Sequence, residues 1–152
     1  MRAGPPQRRA NPIVHCMIAD AVATLAPFPS LPEVKWSTDP IEDNVSSDSE
    51  LSAALVTLEG ATISSPIHVL LFHRGKFLGT ATDQAIPGVQ LLDNASTSTE
   101  VAIAFKELGT PHAGQPTWTG TATFRWLDSR VYRSGELPYG ITSSFPRRGD
   151  GK

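Results

Sequence analysis

The apolar period of the chain changes once. Ile13, Met17, Ala21, Val22 and Leu25 recur at helical spacings and the run stops before Pro27. This pattern predicts a helix from about Val14 to Ala26 whose apolar stripe lies on a sheet. From Leu51 onward the period is two. In LSAALVTLE (51–59), Leu51, Ala53, Leu55, Thr57 and Glu59 fall on one side and Ser52, Ala54, Val56 and Leu58 on the other, before Gly60 ends the strand. SSPIHVLLFHRGKFLGTAT (64–82) reads as a β-hairpin. A two-residue connection at Arg74 and Gly75 sets His73 opposite Lys76, Phe72 opposite Phe77, Leu71 opposite Leu78, Leu70 opposite Gly79 and Val69 opposite Thr80. Arginine disfavours the positive φ of a type I′ turn, so a wider four-residue connection is the alternative.

TEVAIAFKEL (99–108) alternates as a half-buried strand, and WTGTATFRWLDSRVYRSGELP (118–138) forms a second hairpin with Asp128 and Ser129 as its turn. In that hairpin Trp126 faces Val131 and Arg125 faces Tyr132. Ala122, Phe124 and Trp126 supply the buried side; Thr119, Thr121, Thr123 and Arg125 supply the polar one. Residues 83–98 and 109–116 are connections, and prolines concentrated in the first forty residues make that quarter mostly arm and linker. The expected fold is α+β: one N-terminal helix packed on an antiparallel meander sheet of about five to six strands. Residues 1–12 read as a flexible arm, 13–138 as the single domain and 139–152 as a disordered tail.

Composition narrows the function classes. The chain has 152 residues, 39% apolar, with a formal net charge of −2. That is long enough for one real core, and it carries no basic field to recommend nucleic acid. The aromatics and basic residues of 118–133 therefore read as core aromatics with a charged outer face. No apolar run is long enough to cross a membrane. The single cysteine, Cys16, excludes an intrachain disulfide and a CxxC motif. Arg2, Arg8 and Arg9 precede PIVHCMIADAVATLA in the manner of an export signal. Asp20 interrupts that apolar core, however, and His15 stands where a lipobox needs a small residue, so no working signal is expected. Cys16 instead reads as a free cysteine opening the helix, buried or once paired.

No catalytic or metal constellation assembles. His15, His68, His73 and His112 lack metal-ligand spacing, and His68 and His73, five apart in a strand, point to opposite faces. Ser64, Ser65, His73 and Asp83 lack a nucleophile-elbow context. The acidic segment DPIEDNVSSDSE (39–50) lacks the alternating ligands and glycine of a calcium loop and reads as a solvated linker. Asn44 and Asn94 open glycosylation tripeptides, and Arg148-Gly149-Asp150 forms a chance adhesion triplet. No catalytic, cofactor-binding or metal residue is assigned. The hairpin tip His73, Arg74, Gly75 and Lys76 is the expected partner contact. The alternative is a small-ligand or enzymatic domain with a pocket between helix and sheet, using His68, His73 and Arg74 as its polar groups.

Three segments carry a resemblance: CMIADAVATLAPFPSLPEVKW, NVSSDSELSAALVTLEGATISSPIHVLLFHRGKFLGTAT and TGTATFRWLDSRVYRSGELP. Together, over about residues 16–138, they resemble the LppP/LprE family of actinobacterial envelope lipoproteins. The resemblance implies an exported, envelope-associated protein with a noncatalytic binding or accessory role. Its implied partner is an unknown protein or envelope component, met by a monomer without a cofactor. Family members carry a second cysteine shortly before the first strand; here Asp48 falls at that place, so Cys16 looks like a partner orphaned by loss of its disulfide.

Overall fold

The protein was analysed as a computed structural model that describes residues 12–29, 31–60, 65–92, 96–107, 118–135, 137, 141–143, 145 and 146. His112, Ser64, Asn94, Arg148-Gly149-Asp150 and the 109–116 connection lie outside these residues. Helix α1 runs Pro12–Val22, with proline at its first position, where a missing N–H costs nothing. It stops four residues earlier than the apolar spacing suggests. The Thr24 amide and hydroxyl both turn to the Ala21 carbonyl, Pro27 forbids continuation, and the Ala26 carbonyl accepts instead from the Trp36 indole N–H at 2.9 Å. The buried stripe comprises Ile18, Ala21 and Val22, flanked by Val14, Met17 and Leu25. Ile13, expected within it, is 64% exposed.

Among the described residues eight strands follow: β1 Glu42–Asp43, β2 Ser52–Thr57, β3 Ile67–His73, β4 Lys76–Thr80, β5 Val89–Leu91, β6 Glu100–Glu107, β7 Trp118–Leu127 and β8 Arg130–Gly135. They form two antiparallel four-stranded sheets, ordered β1-β2-β3-β4 and β5-β6-β7-β8. The α+β class holds, but the expected single meander of five to six strands is two sheets of four. The physical reason lies in β2 and β3. Leu51, Ala53 and Leu55, with Val69 and Leu71, face Val101, Ile103, Phe105, Ala122 and Phe124 of the second sheet. The alternate residues Ala54, Val56, Leu70 and Phe72 face the helix and Trp36. A sheet that is apolar on both sides needs two covers, and one helix supplies only one of them.

Strands β1 and β5 escape the sequence pattern because two or three residues show no measurable period. β1, inside the expected acidic linker, pairs Glu42 with Leu55 and Asp43 with Ala54. The Glu42 carboxylate then accepts a hydrogen bond from the Leu91 amide of β5 at 2.8 Å, which ties together the two sheets along one side.

The hairpin registers agree with expectation near their turns. His73 pairs with Lys76 and Phe72 with Phe77, after which an irregularity pairs Leu71 with Gly79 and Leu70 with Thr80. Leu78 is the extra residue, and Gly79 absorbs the irregularity at φ 140. The turn is tight despite its arginine: Arg74 sits at φ 47 and Gly75 at φ 85. In the second hairpin Trp126 pairs with Val131 and Arg125 with Tyr132, as expected.

Residues 141–143, 145 and 146, placed by the sequence in a disordered tail, lie against both sheets. The Asp83 amide donates to the Thr142 carbonyl, the Ser143 hydroxyl to the Ala81 carbonyl, and the Arg133 amide to the Pro146 carbonyl. Phe145 packs edge-on to Phe124 with ring centroids 6.2 Å apart, against the core between the sheets. A stretch without periodicity thus docks through one aromatic ring and satisfied backbone groups. Phe72→Ala is expected to cost about 3 to 5 kcal/mol, as a buried aromatic truncation does. The half-buried Phe145→Ala should cost about 1 to 2 kcal/mol, and the exposed Arg74→Ala no more than about 0.5 kcal/mol. Urea denaturation of the three variants checks the order, and an unchanged Phe145→Ala midpoint would contradict the docking of the C-terminal segment.

Candidate functional site

A cleft of about 550 Å³ lies between the segment that follows α1 and the outer face of the first sheet. Its walls come from both sides. Thr24 to Pro29 and Trp36 supply one, while His68 of β3, Phe77, Gly79 and Thr80 of β4, and Asp83 to Ala85 supply the other. The prolines explain the first wall: Pro27 and Pro29 keep the chain extended after the helix, and the Trp36 hydrogen bond to Ala26 pins it. The Phe28 and Trp36 rings meet edge to face, with centroids 6.4 Å apart at 86°. Trp36 also lies 5.0 Å from the His68 ring.

His68 is a titratable group enclosed in the cleft wall. Burial lowers its pKa from 6.5 to about 4, so the ring is neutral near pH 7. Its Nδ1 is enclosed and has no hydrogen-bond partner. The hydroxyls of Thr24 and Thr80 donate to the Ala21 and Thr82 carbonyls, so both are occupied with local backbone.

The expected pocket residues separate. His68 lines the cleft, but His73 and Arg74 lie at and just past the other end of β3, five and six residues or about 17 to 20 Å of strand away. Nor is the tip a free projection. The His73 ring stacks on Trp126, centroids 3.7 Å apart at 11°, and its Nδ1 lies 2.7 Å from the Glu50 carbonyl. Since a carbonyl only accepts, that nitrogen carries the proton. The Arg74 amide donates to the Ser49 carbonyl at 2.9 Å, and its guanidinium lies 3.7 Å from the Glu50 carboxylate. A Cβ on Gly75 would come within 2.9 Å of the Met17 side chain and 3.6 Å of the Ser47 Cα. The tip is therefore wedged between helix, loop 46–50 and the second hairpin. Arg74 and Lys76 reach solvent. Asp83, at the opposite end of the β3–β4 hairpin, is too far from His73 to orient it.

Cys16, expected to be buried or once paired, is a free and exposed cysteine, because the helix turns Ile18, Ala21 and Val22 to the sheet instead. Its neighbour Met17 meets Gly75 beside Ser47. The helix thus approaches loop 46–50, which carries Asp48. Among the described residues no group of three or more His, Cys, Asp or Glu is arranged to hold a metal ion, and no helix is long and apolar enough to cross a membrane.

The family model of the LppP/LprE lipoproteins matches residues 43–129. The chain belongs to the LppP/LprE lipoprotein family. Association with the cell envelope accompanies membership of a lipoprotein family. No curated protein and no solved structure matches this chain. The matched span of this LppP/LprE protein runs from the end of β1 to the β7–β8 turn. It includes the cleft wall made by β3, β4 and Asp83 to Ala85, but not the wall made by Thr24 to Pro29 and Trp36. Sequence reasoning named His68 and missed Phe28, Trp36 and Phe77 as its neighbours. The available signal was the aromatic-proline segment APFPSLPEVKW, which separates Phe28 from Trp36 by eight residues.

The pH dependence of stability tests the burial of His68. Above about pH 6.5 the ring is neutral in both folded and unfolded chains. As the pH falls toward 4 the unfolded ring takes up a proton that the folded ring resists, so stability is lost through that window. Between about pH 7 and 4.5 the loss from this group should be about 2 to 3 kcal/mol. Urea unfolding of the wild type and His68→Phe at both pH values measures it. An equal loss in both proteins would show that His68 does not titrate in this way.

Proposed function

We propose that this LppP/LprE protein is a noncatalytic binding domain of the actinobacterial envelope and that its cleft receives a small, largely apolar molecule. The cleft carries the reading. Its volume, about 550 Å³, lies within the range of small-molecule sites, and Phe28, Trp36 and Phe77 line it beside a neutral histidine. Such a surface offers area to an apolar body and few polar contacts to orient it. Support for a noncatalytic role comes from the use of the polar groups: the Thr24 and Thr80 hydroxyls serve the backbone, and Asp83 accepts from Thr142. The hairpin tip, read from sequence as a partner contact, supports that role less well. Its His73 and Gly75 are engaged within the molecule, which leaves Arg74 and Lys76 as the groups offered outward.

Titration with the uncharged fluorophore N-phenyl-1-naphthylamine tests the proposal. Saturable fluorescence enhancement with a dissociation constant of about micromolar order is expected. Ala85→Trp, which fills the cleft, should weaken binding about tenfold or more, whereas Lys76→Ala should leave it unchanged. Binding unaffected by Ala85→Trp, or no binding to the wild type, would refute a ligand site in the cleft.

A further inference from the structure

The cleft is chemically graded from its depth to its mouth. Trp36 is 7% exposed, and His68, Phe28 and Phe77 are half-buried. Asp83 and Gln84 stand exposed at the rim. Asp83 is held in place rather than free to swing. Its amide donates to the Thr142 carbonyl at 2.8 Å, and its Oδ2 accepts from the Thr142 hydroxyl at 2.7 Å. Among the described lining residues it is the one charged side chain; none is lysine or arginine. An anionic head group entering this mouth would meet a carboxylate with no lining cation to balance it, a juxtaposition that selects against it. A protonated amine would instead pair with Asp83 while its apolar body lay on the aromatic wall, and aromatic faces attract cations as well.

We infer that the cleft selects an amphiphilic amine: an apolar or aryl body seated against Phe28, Trp36 and Phe77, with its ammonium at the Asp83 carboxylate. The C-terminal segment takes part, since Thr142 fixes that carboxylate. This inference rests on the reading of the cleft as a binding site and adds the charge and orientation of its ligand.

Three probes with one body and different heads test it: 4-phenylbutylamine, 4-phenylbutanol and 4-phenylbutyrate, each displacing N-phenyl-1-naphthylamine from the full chain at low ionic strength. The expected order of affinity is amine, alcohol, carboxylate. The amine should exceed the alcohol by about two- to fivefold, the range that an exposed ion pair supplies. That advantage should shrink in added salt. Asp83→Asn keeps an acceptor for Thr142 and should erase the advantage of the amine while leaving the affinity for the alcohol unchanged. An amine no tighter than the alcohol, a carboxylate that binds tightest, or an amine advantage that survives in Asp83→Asn overturns the inference while leaving the cleft a binding site. Failure of all three probes, together with failure of the naphthylamine itself, overturns the underlying reading as well.

Discussion

The structure depends on two central strands, β2 and β3, that are buried on both faces. Residues Leu51 to Val56 are all buried, and β3 is buried from Val69 to Phe72. Each large apolar side chain among them contributes about 1.5 to 3 kcal/mol only when it is removed from water. Burial of both faces is therefore what makes these strands stable, and it requires cover on two sides. Helix α1 with the Trp36 segment covers one face; the second sheet covers the other. Even Ser52, the buried polar residue of β2, is satisfied, since its hydroxyl accepts from the Ser46 amide at 3.3 Å.

The three layers are fastened at one end and open at the other. At the β3–β4 turn, the His73–Trp126 stack joins the two sheets, while Met17 and loop 46–50 close around Gly75. These contacts consume the polar groups that looked most like a site in the sequence. At the opposite end of the hairpin the chain following the helix stands away from the sheet, and the concavity there forms the cleft. Chemistry-bearing residues at the tip hold the fold together, whereas inconspicuous aromatic and proline residues shape the surface that can bind.

The C-terminal segment links this surface to the core. Phe145 packs against the inter-sheet core on the side of β8, and Thr142, three residues earlier, holds Asp83 and accepts its amide. A change in the docking of this segment would therefore act on the cleft mouth through a short covalent path. Cys16 lies on the outward side of α1, away from that core, so its chemistry is independent of the packing that stabilises the domain.

Sequence periodicity by itself determined the elements whose neighbours are local: the helix, the two hairpins and the pairings beside their turns. Turn length and alternation specify those contacts because the partners are a few residues apart. Family membership was legible for a related reason, since the β2–β3–β4 segment is both the most regular stretch and a central part of the matched span. Only the tertiary structure decided that two sheets stack, that Ile18 rather than Ile13 faces inward and that Cys16 is exposed. The same holds for the docking of Phe145 and for the meeting of Phe28 and Trp36 with His68 and Phe77. These facts join positions far apart in the chain, and an apolar residue alone does not say which distant surface will cover it. The extra residue at Leu78 follows from packing as well: a bulge shifts one strand against another with little trace in the alternation of its residues.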